Sequence, residues 1–365
     1  MNMTEYQGLA NECRDLLSTN KEWIDRYMGY IKKLNNVKDT IAESQTRFSV
    51  PAPLKLYLPL SSATGCSNGV IAYDLRYLGQ SVGSLTVDTK KAKETKKDVV
   101  LEINEKSQIL KRDKCLYKQY TAASEEELNW HTGDAAKAFR KTFQDPEFQK
   151  IDLGCHEHRL ESYLLTNYAQ KSSDGKELLY IQPVGMCGTA ARFQMPTPFS
   201  ASKLHKLENW DNPSIYAKNS RSGGGIDVLA RTGSGHATYL TIIELKDENS
   251  ASEPPHRAIG QAIAYSVFIR ELLRCDKAGN SDWWKFFGFS GDIPKKLVLR
   301  AVIAMPFEGK GNGIRKQRAE DNAAQFMKEI DTLNPKIKLD NDEIELHYIF
   351  MKSDRDGKTL TSLLR

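Results

Sequence analysis

The chain has 365 residues, 40% of them hydrophobic and 27% charged, which is the balance of a folded globular protein long enough for two domains. No apolar run reaches the roughly 18 residues of a membrane span, and the polar, acidic start MNMTEYQGLANECRDLL lacks the order of a secretory signal. A cytoplasmic protein without a membrane partner is therefore expected, and six scattered cysteines with no CxxC pair suit reduced, packed thiols.

The net charge of +5 is unevenly spread. Residues 1–120 hold 19 Lys and Arg against 14 Asp and Glu, while the remainder holds 33 of each sign. A basic N-terminal part suits a polyanionic partner, although a chance asymmetry of solvated surface gives the same numbers.

Residues 3–35 read as helical, with Leu9, Cys13, Leu16, Leu17, Trp23, Ile24, Met28 and Ile31 at helix-like spacing. From about residue 47 the pattern alternates. LKLYLPL (54–60), VIAYDLRYLG (70–79), VGSLTVD (82–88) and VVLEI (99–103) read as strands joined by turns, with lysine-rich TKKAKETKKD (89–98) as an exposed hairpin loop. Residues 1–120 thus form a predicted helical plus antiparallel β domain. In 121–150, a predicted helical connector, Ser124 with Glu127 fits a capping box and Asp134 a second cap.

Residues 151–365 read as a second domain. A helix at 155–170 precedes a strand at 178–184, a long polar insert at 185–220, and strands at 225–231 and 238–246 joined by the turn TGSGHA. A helix at 256–274, a strand at 296–305, a helix at 315–331 and a strand at 343–352 follow. This order implies an α/β fold, a mixed sheet flanked by helices.

The chemistry concentrates in IIELKDE. Residues two apart in a strand share a face, so Glu244 and Lys246 project together while Ile243 and Leu245 point the other way. A strand covered by helices normally has two apolar faces, and a Glu and Lys placed there must pair or bind something. Asp227 begins the preceding strand after Ser222-Gly223-Gly224-Gly225, and hairpin pairing would bring it near Glu244. Two neighbouring carboxylates call for a cation, and Mg²⁺ (or Mn²⁺) suits oxygen donors. The helix at 256–274 carries Gln261 and Tyr265 four apart on one face. His256 and Arg257 open that helix, where a phosphate could sit. On the first helix of this half, Glu157 and Glu161 fall on the stripe of Leu160, Leu164 and Tyr168; either could face the cation or pair with Arg159.

An Asp, a strand–turn–strand and Glu-x-Lys resemble the PD-(D/E)XK nuclease superfamily over residues 155–352. The Gln-x-x-x-Tyr pair and the helical glutamate fit the resemblance, whereas Ile226 stands where the family's proline would be. The resemblance implies a restriction-endonuclease-like fold and a Mg²⁺-dependent deoxyribonuclease of restriction, repair or phage defence. It implies metal ligation by Asp227, Glu244, the Leu245 carbonyl and Glu157. Catalytic roles fall on Asp227, Glu244, Lys246 and Gln261 with Glu157 or Glu161, and substrate contacts on Tyr265, Arg257 and Ser222. DNA is the expected partner and a homodimer stays open. The alternatives are an RNA-directed nuclease and a non-catalytic nucleic-acid-binding or interaction protein of the same fold.

Overall fold

The computed structural model describes residues 3–19, 21–112, 118, 120–149, 160–161, 164–165, 181–184, 191–201, 224–246, 254–277, 279–307, 313–353 and 360–364. In chain order the elements are α1 (Met3–Thr19), α2 (Glu22–Gln45), β1 (Lys55–Pro59), α3 (Leu60–Gly65), β2 (Val70–Tyr77), β3 (Gln80–Asp88), β4 (Val99–Ile103), α4 (Gln108–Arg112), α5 (Asp134–Gln144) and α6 (Pro146–Gln149). There follow β5 (Gln182–Pro183), β6 (Arg192–Gln194), β7 (Val228–Ser234), β8 (Ala237–Leu245), α7 (Pro255–Arg274) and α8 (Asn280–Phe286). The last are β9 (Val298–Pro306), α9 (Ile314–Leu333), β10 (Lys336–Leu339), β11 (Asp342–Ser353) and β12 (Leu360–Leu364). The protein is α/β, with two mixed sheets flanked by helices.

Contacts divide the chain into two compact units, one of Met1–Gly29, Leu160–Val184 and Met195–Arg365, the other of Tyr30–Arg159 and Gly185–Gln194. The boundary expected at residue 120 is thus displaced. Helix α1 buries Tyr6, Leu9, Cys13 and Leu17 and packs on α7 and β10, far along the chain. Helix α2 runs ten residues past its expected end at 35, because Val37 and Ile41 continue the buried stripe of Trp23, Tyr27, Ile31 and Leu34.

The unit containing Tyr30–Arg159 holds a sheet of order β4-β3-β2-β1-β6, antiparallel except for the parallel pair β1–β6. Alternation in β2 buries Ile71, Tyr73, Leu75 and Tyr77. Phe139 and Phe143 on α5 extend this core, with the rings of Tyr77 and Phe143 4.9 Å apart. The expected connector is built into the unit. Leu101 donates its N–H to Leu128 and Trp130 donates to Val99, so residues 128–130 run along β4. The capping-box bonds between Ser124 and Glu127 form, but they close a turn instead of a helix. Helix α5 starts at Asp134 itself, with Gly133 as its cap residue.

In the other unit the sheet has order β10-β11-β9-β8-β7-β5, with β12 paired to β11. Strands β8, β9 and β11 are mutually parallel neighbours, and the other pairs are antiparallel. Ile243 and Leu245 of β8 enter one apolar cluster with Leu160, Leu164, Leu165, Val302 and Ala304. Helix α7 packs on β8 and β9 and also against α1 and α9, so it is buried almost all round. Ala258, Gly260, Ala262 and Ala264 keep its girth small enough for that position. Among the described residues of the expected helix at 155–170, Leu160, Glu161, Leu164 and Leu165 are helical.

Candidate active site

Strands β7 and β8 form the expected hairpin, with Ser234 opposite Ala237 and Val228 opposite Ile243. Gly235 takes φ +60° at the turn's first central position, and at the end of β7 a Cβ on Gly233 (φ +85°) would strike the Ala237 carbonyl. Continued one residue outward, the register sets Asp227 opposite Glu244. The Asp227 side chain leans across to β8, where its Oδ2 accepts the Leu245 N–H at 2.9 Å. The next amide, Lys246 N–H, donates to Ala304 of β9 at 3.0 Å. In a trans peptide the carbonyl points opposite to its N–H, so the Leu245 carbonyl is turned away from β9, toward the Asp227 side.

Glu244 is 4% exposed, on the face of β8 opposite the apolar cluster that takes Ile243 and Leu245. Lys246 Nζ lies 2.6 Å from Glu244 Oε1 and 3.2 Å from Gln261 Oε1 on α7. Gln261 is itself buried, at 3% exposure. A carboxylate in that position would carry a large desolvation penalty alone, and the ammonium offsets it. The glutamine carbonyl then fixes where the ammonium sits.

Tyr265, one turn further along α7, is 4% exposed. Assigned to substrate contact by the resemblance, it is packed between the site's helix and the Phe199–Ala201 segment. Its hydroxyl accepts the Ala201 N–H at 3.3 Å, and its ring stacks on Phe199 with centroids 6.0 Å apart. A Cβ on Gly224 would collide with that hydroxyl, so any larger residue there requires the tyrosine to shift. Burial pushes the phenol pKa upward, and the nearby charges of Glu244 and Asp227 push it further. Thr197, Phe199, Met195 and Pro196 pair with Gly224, Gly225 and Ile226 through main-chain bonds, which brings the chain into Asp227 from a fixed direction. This segment, within the stretch read as polar insert, was missed. Its pairing joins residues 25 to 31 apart and leaves no local pattern, although the glycine run was a cue.

Glu161 is buried at 6% exposure. Among the described residues no group of three or more His, Cys, Asp or Glu side chains is placed to hold a metal ion. Arg257 is exposed in the first turn of α7. Glu157 and Ser222 lie outside the described residues. The donors that the strand register sets at this end are two carboxylates and one carbonyl, hard oxygens of the kind Mg²⁺ and Mn²⁺ accept. No family model, curated protein or solved structure matches the chain.

Proposed function

We propose that the chain is a divalent-metal-dependent nuclease of the PD-(D/E)XK type that hydrolyses phosphodiester bonds in DNA, on a restriction-endonuclease-like core. The observation that carries this reading is the pairing across β7 and β8, with Asp227 and Glu244 opposite one another and Lys246 held between Glu244 and Gln261. An amine and two acids on neighbouring strands, at an end where one carbonyl is also turned inward, is a costly arrangement for a core. It suits a site that binds a cation and a phosphate.

The ligands would be Asp227, Glu244 and the Leu245 carbonyl. A bound Mg²⁺ or Mn²⁺ supplies Lewis acidity toward the phosphate and lowers the pKa of water. Asp227 keeps its geometry through the Leu245 N–H, and Glu244 keeps its through Lys246. The Lys246 ammonium sets positive charge where negative charge grows on the phosphate oxygens, and Gln261 limits its wandering. Water oxygen bonds to phosphorus as the opposite P–O bond breaks; the attacking water gives up one proton to solvent, and the departing oxygen takes one from solvent. Tyr265 acts as a positioning residue, since its hydroxyl accepts the Ala201 N–H and lies against Gly224, three residues before Asp227.

Purified protein incubated with linear, circular and single-stranded DNA and with RNA tests the reading, with and without Mg²⁺ or Mn²⁺. Metal-dependent cleavage that Asp227→Ala abolishes is the expected result. Absence of cleavage on every substrate, or equal cleavage by the variant, removes the proposal.

A further inference from the structure

The loop between β3 and β4 carries Lys90, Lys91, Lys93, Lys96 and Lys97, all exposed, against one glutamate, Glu94. A charge run of this kind is commonly a loose, solvated tip, and here the backbone argues otherwise. Arg47, only 9% exposed, donates to the carbonyls of Thr89 at 2.8 Å and Lys91 at 2.9 Å, and to Asp98 Oδ2 at 3.2 Å. Asn129, also buried, donates its side-chain amide to the Lys96 carbonyl at 2.8 Å. Asp98, 2% exposed, has its charge met internally by Arg47, so it subtracts little from the positive surface.

Lys96 itself sits at φ +53°, a conformation glycine adopts more readily. The chain nonetheless places a long cationic side chain there. Two buried side chains thus hold the backbone at both arms of the loop, whose exposed side chains include five ammonium groups and one carboxylate. Only Ala92 among residues 89–97 is apolar, so the loop has nothing to insert into a lipid layer.

We infer that the β3–β4 loop is a preorganised nucleic-acid-binding element, contacting the phosphate backbone of duplex DNA through its lysines without reading bases. The choice of occupant rests on the nuclease reading, while the charge and the clamp stand apart from it. Lysine contacts to phosphates release counterions, so each shows as a change of about 0.9 in the slope of log K against log salt for duplex DNA. Fixed loop geometry lowers the ordering cost of making those contacts.

The test is fluorescence anisotropy of full-length protein with a short labelled duplex, in chelator, at salt from about 50 to 200 mM. The variant with all five lysines changed to Gln is expected to bind at least about tenfold more weakly at the low end, with a slope shallower by about 3 to 4. Lys96→Gly relieves the left-handed backbone, so it should melt higher while its slope still drops by about 0.9. A merely structural loop would leave that slope unchanged. Equal affinity and slope for the folded five-lysine variant overturn the proposal, as does failure of both proteins to bind duplex. Loss of binding to phosphatidylserine vesicles, with duplex binding intact, overturns it in favour of a membrane surface. Because no divalent ion is present, a wild-type protein that binds but does not cleave when Mg²⁺ is added would uphold the loop and sink the nuclease reading alone.

Discussion

Asp227 Oδ2 accepts the main-chain N–H of Leu245 at 2.9 Å, which ties the acid just before one strand to the last residue of the next. An asparagine can keep that bond through its carbonyl oxygen while losing the charge. Asp227→Asn is therefore expected to stay within about 1 kcal/mol of wild-type stability, whereas Asp227→Ala gives up the bond and costs about 1 kcal/mol more. Both should abolish metal-dependent cleavage. Urea unfolding alongside a cleavage assay separates the two effects, and an active Asp227→Asn would contradict the role given to its charge.

Lys246 is the cation that makes burial of Glu244 tolerable. Lys246→Met should destabilise the fold by about 1–3 kcal/mol, below the full penalty of a broken buried pair because the amine is partly exposed. Adding Glu244→Gln should return part of that loss. A double-mutant cycle in urea measures the coupling, and a coupling near zero would mean that the ion pair contributes nothing.

Gly224 and Tyr265 make a steric pair. Gly224→Ala should cost about 1–3 kcal/mol through overpacking, and Tyr265→Phe about 1 kcal/mol through its hydrogen bonds. Together they should cost less than their sum, since removing the hydroxyl makes room for the methyl. Recovery would be incomplete, as the Phe199 carbonyl and Thr197 hydroxyl also lie 3.2 Å from the added carbon. Additive costs would show that the close approach is not real.

The parts of this region that the sequence reveals are local. The glycines of TGSGHA announce the hairpin, alternation in IIELK separates Glu244 from Ile243 and Leu245, and the four-residue spacing of Gln261 and Tyr265 puts them on one helical face. What remained hidden is non-local or short. The Met195–Ala201 segment meets Gly224–Ile226 only through tertiary pairing, and β6 is three residues long inside a polar stretch. The Asn280–Phe286 helix is only seven residues long and Trp-rich, and β10 is four residues with lysines at alternate positions. No composition change marks the division at Gly29, because it falls within α2. Nor does any spacing betray that Arg270 and Arg274 both reach Asp342, about 70 residues away.

Glu345 gives a pH signature on strand β11. The His347 ring at 3.6 Å and Lys336 at 2.8 Å hold its carboxyl down to about 2, against its partial burial. A carboxylate depressed in the folded state stabilises above its unfolded pKa, and that contribution disappears as pH falls toward the folded value. Glu345→Gln should thus cost about 2–3 kcal/mol at neutral pH, with the gap to wild type closing between pH about 4.5 and about 2. Thermal unfolding of both proteins across that range checks it, and a gap independent of pH would contradict it.

The central claim, that an acid from each of two adjoining strands shares one divalent ion, is most directly tested by counting Mn²⁺ bound to the full chain by electron paramagnetic resonance. The account predicts saturable binding of Mn²⁺ that Asp227→Asn and Glu244→Gln each weaken by at least about tenfold. Binding that both variants leave unchanged, or no binding by the wild-type protein, would contradict it.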